Sequence, residues 1–153
     1  MKYFILITIS TLFLSGCSNC KLWGDNNLGG DFTLLEGDKI NDRLIVYCTS
    51  KEKPEDCCTS GIPIIPSRED KSTDYIEIAD YNEQWIIVKG VNIDKSESYW
   101  YINKDFDTSW EYDDGGIFYN RIQNNVYGPY DKSEFEQELK TRNINLKFDS
   151  AEE

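Results

Sequence analysis

The side chains able to do chemistry in this chain are five cysteines, 28 carboxylates, ten tyrosines and the lysines; histidine is absent. The missing imidazole removes Ser-His-Asp and Cys-His catalysis, zinc sites built on histidine, and imidazole proton transfer. Any catalysis falls to carboxylates, Tyr, Lys or Cys. Carboxyl pairs about 5–10 Å apart hydrolyse glycosides, and the Trp and Tyr side chains suit stacking on a sugar. With 28 acids, however, some pair always meets that distance, so the sequence singles out none. Asp105, Asp107, Glu111, Asp113 and Asp114, followed by Gly115 and Gly116, invite a calcium reading. An EF-hand loop counted from Asn103 needs Gly sixth and Glu twelfth. Thr108 and Asp114 stand there instead, so the stretch reads as a solvated acidic hairpin. No metal and no cofactor is expected.

Cys17 stands apart from the other thiols. Lys2 gives a positive start, residues 3–14 are an apolar run, and the small Ser15 and Gly16 precede the cysteine. That is the layout of a secretory signal peptide, and the run is shorter than the roughly 20 residues that span a bilayer. Leu14-Ser15-Gly16-Cys17 resembles the bacterial lipobox, in which the thiol takes a diacylglyceryl group and the bond before it is cut. The resemblance implies loss of residues 1–16 and a lipid on Cys17. Two acyl chains hold a protein firmly where one holds it marginally. Ser18 follows the cysteine, with neither Asp nor an acidic run behind it. By the same resemblance the chain is exported and, in a Gram-negative host, sits on the outer membrane facing the periplasm.

Cys20, Cys48, Cys57 and Cys58 remain, an even set that favours disulfides in an exported chain. The adjacent Cys57 and Cys58 should point different ways. One would close a short loop to Cys48 and the other reach Cys20, but the sequence does not choose among the three pairings. Zinc knuckles space their ligands by two to four residues, unlike this set. Free thiols, Cys20 above all, are the alternative.

The formal charge of −12 repels phosphate backbones and anionic headgroups alike. Nucleic acid is therefore excluded as a partner, and the domain should stand off the membrane that holds it. After cleavage about 137 residues remain, enough for one domain. Its divisions read as a signal peptide (1–16), a lipidated Cys and tether (17–30), a globular body (31–148) and an acidic tail (149–153).

The elements that must position these side chains are mostly strands. Short apolar runs alternate with turn residues about every ten positions. Strands are expected at 32–35, 43–48, 62–65, 75–79, 85–91 and 98–103, with weaker ones at 116–121 and 125–127. Pro63 and Pro66 demote the third to an edge strand or an extended loop. Residues 85–88 are apolar on both faces and belong in the middle of a sheet. Ser133 and Glu136 suggest a capping box opening a helix with Phe135 and Leu139 on one stripe. Asn143 would stop it, and Leu146 and Phe148 would follow as a last strand or dock on the sheet. The expected fold is α+β and mainly β, an antiparallel sheet of six to eight short strands with one C-terminal helix packed on it.

Tyr99, Tyr101, Trp110 and Tyr112 cluster in sequence, either as an aromatic binding surface or as the covered face of the sheet beneath the helix. The strand ending in IVY, the IPIIP run, the Tyr-Trp-Tyr-Ile strand and the closing GPYDKSEFEQEL segment resemble small bacterial lipoprotein families of unknown function. That resemblance implies an envelope-anchored module and brings no catalytic residue. The expected role is non-catalytic binding of a protein or another envelope component, an immunity-type inhibitor being one form. The alternative is a carboxylate-based hydrolase acting on an envelope glycan.

Overall fold

The computed structural model describes residues 25–52, 57–108 and 116–148. Cys17, Cys20, Trp110, Tyr112, the signal segment and the acidic tail lie outside them, as does the Cys57 side chain. Eight strands and two α-helices form among the described residues. They are β1 (Asp25–Gly29), β2 (Phe32–Leu35), β3 (Leu44–Glu52), β4 (Cys57–Ile65), β5 (Thr73–Tyr81), β6 (Trp85–Asn92), β7 (Glu97–Asn103), α1 (Gly116–Gln123), β8 (Val126–Tyr130) and α2 (Lys132–Thr141). All pairings are antiparallel, in two four-stranded sheets ordered β1-β2-β3-β4 and β5-β6-β7-β8.

The chain is mainly β with helices added, as expected, but the single sheet with one helix is corrected to two sheets and two helices. The division falls where residues 66–72 leave β4 without pairing. Each sheet turns an apolar face toward the other, and packing the two together buries both. Phe32, Leu34, Ile45, Tyr47 and Ile64 from the first sheet meet Ile76, Ile86, Val88, Trp100 and Ile102 from the second in one core. Arg43 ties the sheets at one side: its carbonyl accepts from the Ile76 amide at 3.1 Å, and its guanidinium donates to the Glu77 carbonyl at 2.7 Å.

Three local corrections have physical reasons. Residues 116–121 form helix rather than strand, because Phe118 and Ile122, four apart, share the buried stripe that closes the first core. Residues 25–29 are a strand, not tether. Gly29, Gly30 and Asp31 all take positive φ (77°, 59° and 63°), so the glycine pair reverses the chain onto β2. Lys104 holds that turn to the second sheet through a 3.0 Å bond to the Leu28 carbonyl. The α2 capping box starts at Asp131 instead of Ser133. Asp131 is the extended residue before the helix, and its carboxylate accepts from the Glu134 amide at 2.9 Å.

Other expectations hold. β4, which carries Pro63, is an edge strand, and β6 is interior. Asn143, at φ 55°, ends α2, with the Ile144 amide reaching back to the Leu139 carbonyl and the Asn143 amide to that of Lys140. Leu146 and Phe148 dock on the sheet without forming a strand. Cys48 and Cys58 form a disulfide across β3 and β4, one of the short closures expected from the cysteine spacing.

Gly90 marks a tight approach in the first core. A β-carbon there would stand 2.9 Å from Cζ3 of the buried Trp100 and 3.3 Å from the Thr73 methyl. Gly90→Ala is therefore expected to cost about 1–3 kcal/mol by overpacking. Urea unfolding checks this, and an unchanged midpoint would mean the indole has room to move.

Candidate functional site

The second face of the β5–β8 sheet carries the chemistry. Strand alternation sends Ile86, Val88, Trp100 and Ile102 into the first core. Their neighbours Trp85, Ile87, Tyr99 and Tyr101 point the other way, against Phe135 and Leu139 of α2 and against Ile144, Leu146 and Phe148 beyond it. A bulge in β5 between Ile76 and Ile78 breaks the alternation. Its effect is to bring the consecutive residues Glu77 and Ile78 to the same outer face, which is what bulges do to side-chain aim.

A half-open cleft of about 650 Å³ lies between this face, α2 and residues 146–148. Its size is that of a small-molecule site. The apolar lining comes from Ile78, Ile87, Phe135, Leu139, Leu146 and Phe148, with Tyr99 stacked on Phe135 at 5.2 Å between ring centres. At its sheet end Lys89 sits between two carboxylates, 2.6 Å from Glu77 and 2.8 Å from Glu97. The Tyr99 hydroxyl donates to the other oxygen of Glu97 at 2.5 Å. Glu77 Oε2 is buried and makes no hydrogen bond, so the Lys89 ion contact alone compensates it.

These four groups hold one another in fixed charge states. Burial pulls Lys89 toward losing its proton, but Glu77 and Glu97 outweigh it and hold the ammonium well above its usual range. The Lys89 and Tyr99 hydrogen bonds keep Glu97 below the usual carboxylate range. Burial, reinforced by Glu97, pushes Tyr99 up to about 12. The Glu97 contribution to stability is therefore present above its unfolded value of about 4.3 and lost as pH falls through the folded one. That of Lys89 is present below about 10.4 and lost as pH rises through its folded value. Lys89 is thus held protonated, Glu97 ionised and Tyr99 neutral across neutral pH.

Glu77 and Glu97 also touch the same nitrogen, so the two contacted oxygens lie no further apart than those contacts laid end to end. That is near the roughly 5–5.5 Å carboxyl separation of a retaining glycosidase. That is an upper limit on the separation, and the charge of Glu97 does not suit the acid role. A glycosidase acid must hold its proton near neutral pH, whereas Glu97 is held ionised and an ammonium fills the gap.

The residues singled out from sequence are thus partly placed. Tyr99 and Tyr101 are buried (5% and 0% exposed), so the expected aromatic surface is, over these two residues, the covered face beneath α2. Tyr101 stacks on Tyr127 and Tyr130 and donates to Glu138 at 3.0 Å, while Arg142 lies over Tyr127 at 4.7 Å. Cys48 and Cys58 are joined. No cluster of three or more metal-ligating side chains occurs among the described residues. Glu77, Lys89 and Glu97 were not picked out from sequence. The outward alternation of 85, 87 and 89 and of 97, 99 and 101 was readable, but pairing Lys89 with Glu97 also requires the register. No family model matches the chain, and no curated protein or solved structure shows significant similarity to it.

Lys89→Met removes the cation and leaves two facing carboxylates. A loss of about 1–2 kcal/mol at pH 7 is expected, between the values for exposed and buried pairs. Part of it should return near pH 4, where the carboxylates protonate. Carbon-13 titration of Glu97 should move to higher pH; an unmoved titration would show that Lys89 does not set its charge.

Proposed function

We propose that this chain is an exported lipoprotein, anchored through Cys17 after loss of residues 1–16, whose domain binds an envelope component without catalysis. The observation that supports the binding role is the charge state of the groups around the cleft. General acids and bases work with pKa values near the ambient pH. Lys89 and Tyr99 are pushed up and Glu97 down, each away from neutrality. Such groups fix a shape and a field and are poor at exchanging protons. The same fact weighs against the hydrolase alternative.

The anchor rests on the lipobox resemblance and agrees with the domain boundary. β1 opens at Asp25, so the stretch between lipid and first strand shortens to residues 17–24. Eight residues reach at most about 28 Å, which keeps the domain close to its membrane. Among the described residues no helix is long and apolar enough to cross one. The net charge of −12 suits a basic protein partner, of which an immunity-type target is one form.

Growth with an alkyne-tagged fatty acid tests the anchor. The wild-type chain is expected to carry the tag and sediment with membranes, while Cys17→Ser carries none and leaves the membrane fraction or stays unprocessed. A serine variant that still takes up the tag would overturn the anchor.

A further inference from the structure

A second, smaller pocket of about 300 Å³ lies between the edge strands β4 and β8 and the segment that joins the two sheets. Trp100 lines it, although that side chain is only 4% exposed. Gly128 of β8 lies against the indole: a β-carbon there would stand 2.8 Å from Cδ1, the atom next to Nε1. The N–H edge is therefore on the β8 side, whereas the six-membered ring meets Gly90 inside the core. Among the described residues no group accepts from that N–H, yet the nitrogen is not sealed off from solvent, and the pocket is where it opens. A donor in so buried a side chain needs an acceptor from outside the chain. The other polar groups of the lining are chiefly acceptors. Gln123 spends its amide nitrogen on the Ile64 carbonyl at 3.2 Å, which leaves its oxygen over. Asp70 Oδ1 takes the Ser72 and Thr73 amides and the Ser72 hydroxyl, while Oδ2 takes the Thr73 hydroxyl at 2.6 Å. A carboxylate oxygen accepts about two bonds, so Oδ2 keeps one position. Burial pushes this carboxyl up, but the Thr73 and Ser72 hydrogen bonds outweigh it and hold it below the usual carboxylate range. Ser67 accepts from the Asp70 amide at 3.2 Å and still has a proton to give. The rest of the lining is hydrocarbon, from Ile64, Ile65, Val126 and Pro129.

We propose that this pocket binds one neutral sugar ring, with one hydroxyl accepting from Trp100 Nε1 and others donating to Asp70 and Gln123. Charge selects no ion here, because Arg68, Glu69, Asp70 and Lys71 cancel along the segment that walls the pocket. Hydrogen bonding does the selecting. An ammonium group gives Asp70 a donor but offers the indole no acceptor. A carboxylate answers the indole and leaves Asp70 and Gln123 facing another acceptor. An amide donates and accepts once, against three sites here. Hydroxyls do both, and a pyranose carries several of them around a ring whose C–H faces suit Ile64, Ile65 and Val126. The volume is at the small end of ligand sites, with room for one ring rather than a chain. The site is separate from the cleft under α2. The proposal rests on reading the domain as a non-catalytic binding module, names a glycan as the envelope component, and does not depend on the anchor.

The test is proton–nitrogen-15 correlation NMR of the full chain in a detergent without a sugar headgroup, following the indole N–H signals. That of Trp100 is assigned through its contacts with Gly90 and Gly128. The probes are methyl glucoside, methyl galactoside and methyl N-acetylglucosaminide, with cyclohexanol, cadaverine and N-methylacetamide as controls. At least one glycoside is expected to shift the Trp100 N–H saturably and more than any control does. Trp85, which packs on the opposite face of the same sheet, should stay in place. Asp70→Asn keeps an oxygen for the Ser72 and Thr73 amides and should weaken binding about tenfold, the worth of a hydrogen bond to a charged group. Ser67→Phe, which fills the space from outside the core, should abolish it. No saturable shift from any glycoside, an equal shift from a control, or indifference to both variants would each overturn the proposal. A glycoside that binds but is recovered hydrolysed would sink the non-catalytic reading and leave the site standing. Failure of every glycoside with a chain that still carries lipid on Cys17 would sink the site and leave the anchor.

Discussion

Strand β6 is buried from both sides, and most of the molecule follows from that. Ile86 and Val88 face one core and Ile87 the other, all three with no exposed surface. A strand so covered needs a partner sheet on one face and a further layer on the other. The first sheet supplies the former, and α2 with residues 143–148 supplies the latter. Register is correspondingly strict. Slipping β7 by one residue against β6 would exchange Trp100 and Ile102 for Tyr99 and Tyr101, placing phenol hydroxyls in the apolar core and an indole against Glu138.

The ion cluster is a consequence of the same register. Pairing Lys89 with Tyr99 sets Glu97, two residues before it, diagonally across from the lysine. The β5 bulge then delivers Glu77 from the opposite side. One cation between two carboxylates compensates the buried oxygen of Glu77, and Lys89 and Glu97 both stay charged at neutral pH. An active site would need the reverse arrangement, with two groups whose environments drive their pKa values toward the working pH. The groups around the cleft are not of that kind: Lys89 and Tyr99 are pushed up and Glu97 down, each away from neutrality.

Much of this architecture was legible in the sequence where a pattern was long or carried its own punctuation. The continuous apolar run at 85–88 showed an interior strand, Phe135 and Leu139 showed the last helix, and Asn143 its end. Tyr99 and Tyr101 opposite Trp100 and Ile102 announced two faces. What failed was short or depended on distant partners. At 116–122 both periodicities are available to a few apolar residues, and only contact with the sheet core decides for helix. Gly29-Gly30 reads equally as a linker or a tight turn. The division into two sheets depends on which faces meet, and the cleft depends on a bulge that no local residue type marks. The cysteines were readable only in part: a short closure to Cys48 was expected, yet either neighbour, Cys57 or Cys58, would have satisfied it.

The layer order bears on how an anchored domain would work. β1, the first of the described strands, belongs to the first sheet, while the cleft opens on the far side of the second. Packed sheets lie about 10 Å apart, so at least one full sheet separates β1 from the cleft. Lys104 strengthens that division by fixing the β1–β2 turn to the second sheet, with its ammonium buried enough to be held below the usual lysine range. A cleft placed on that outer layer stays clear of β1 and is half-open to solvent.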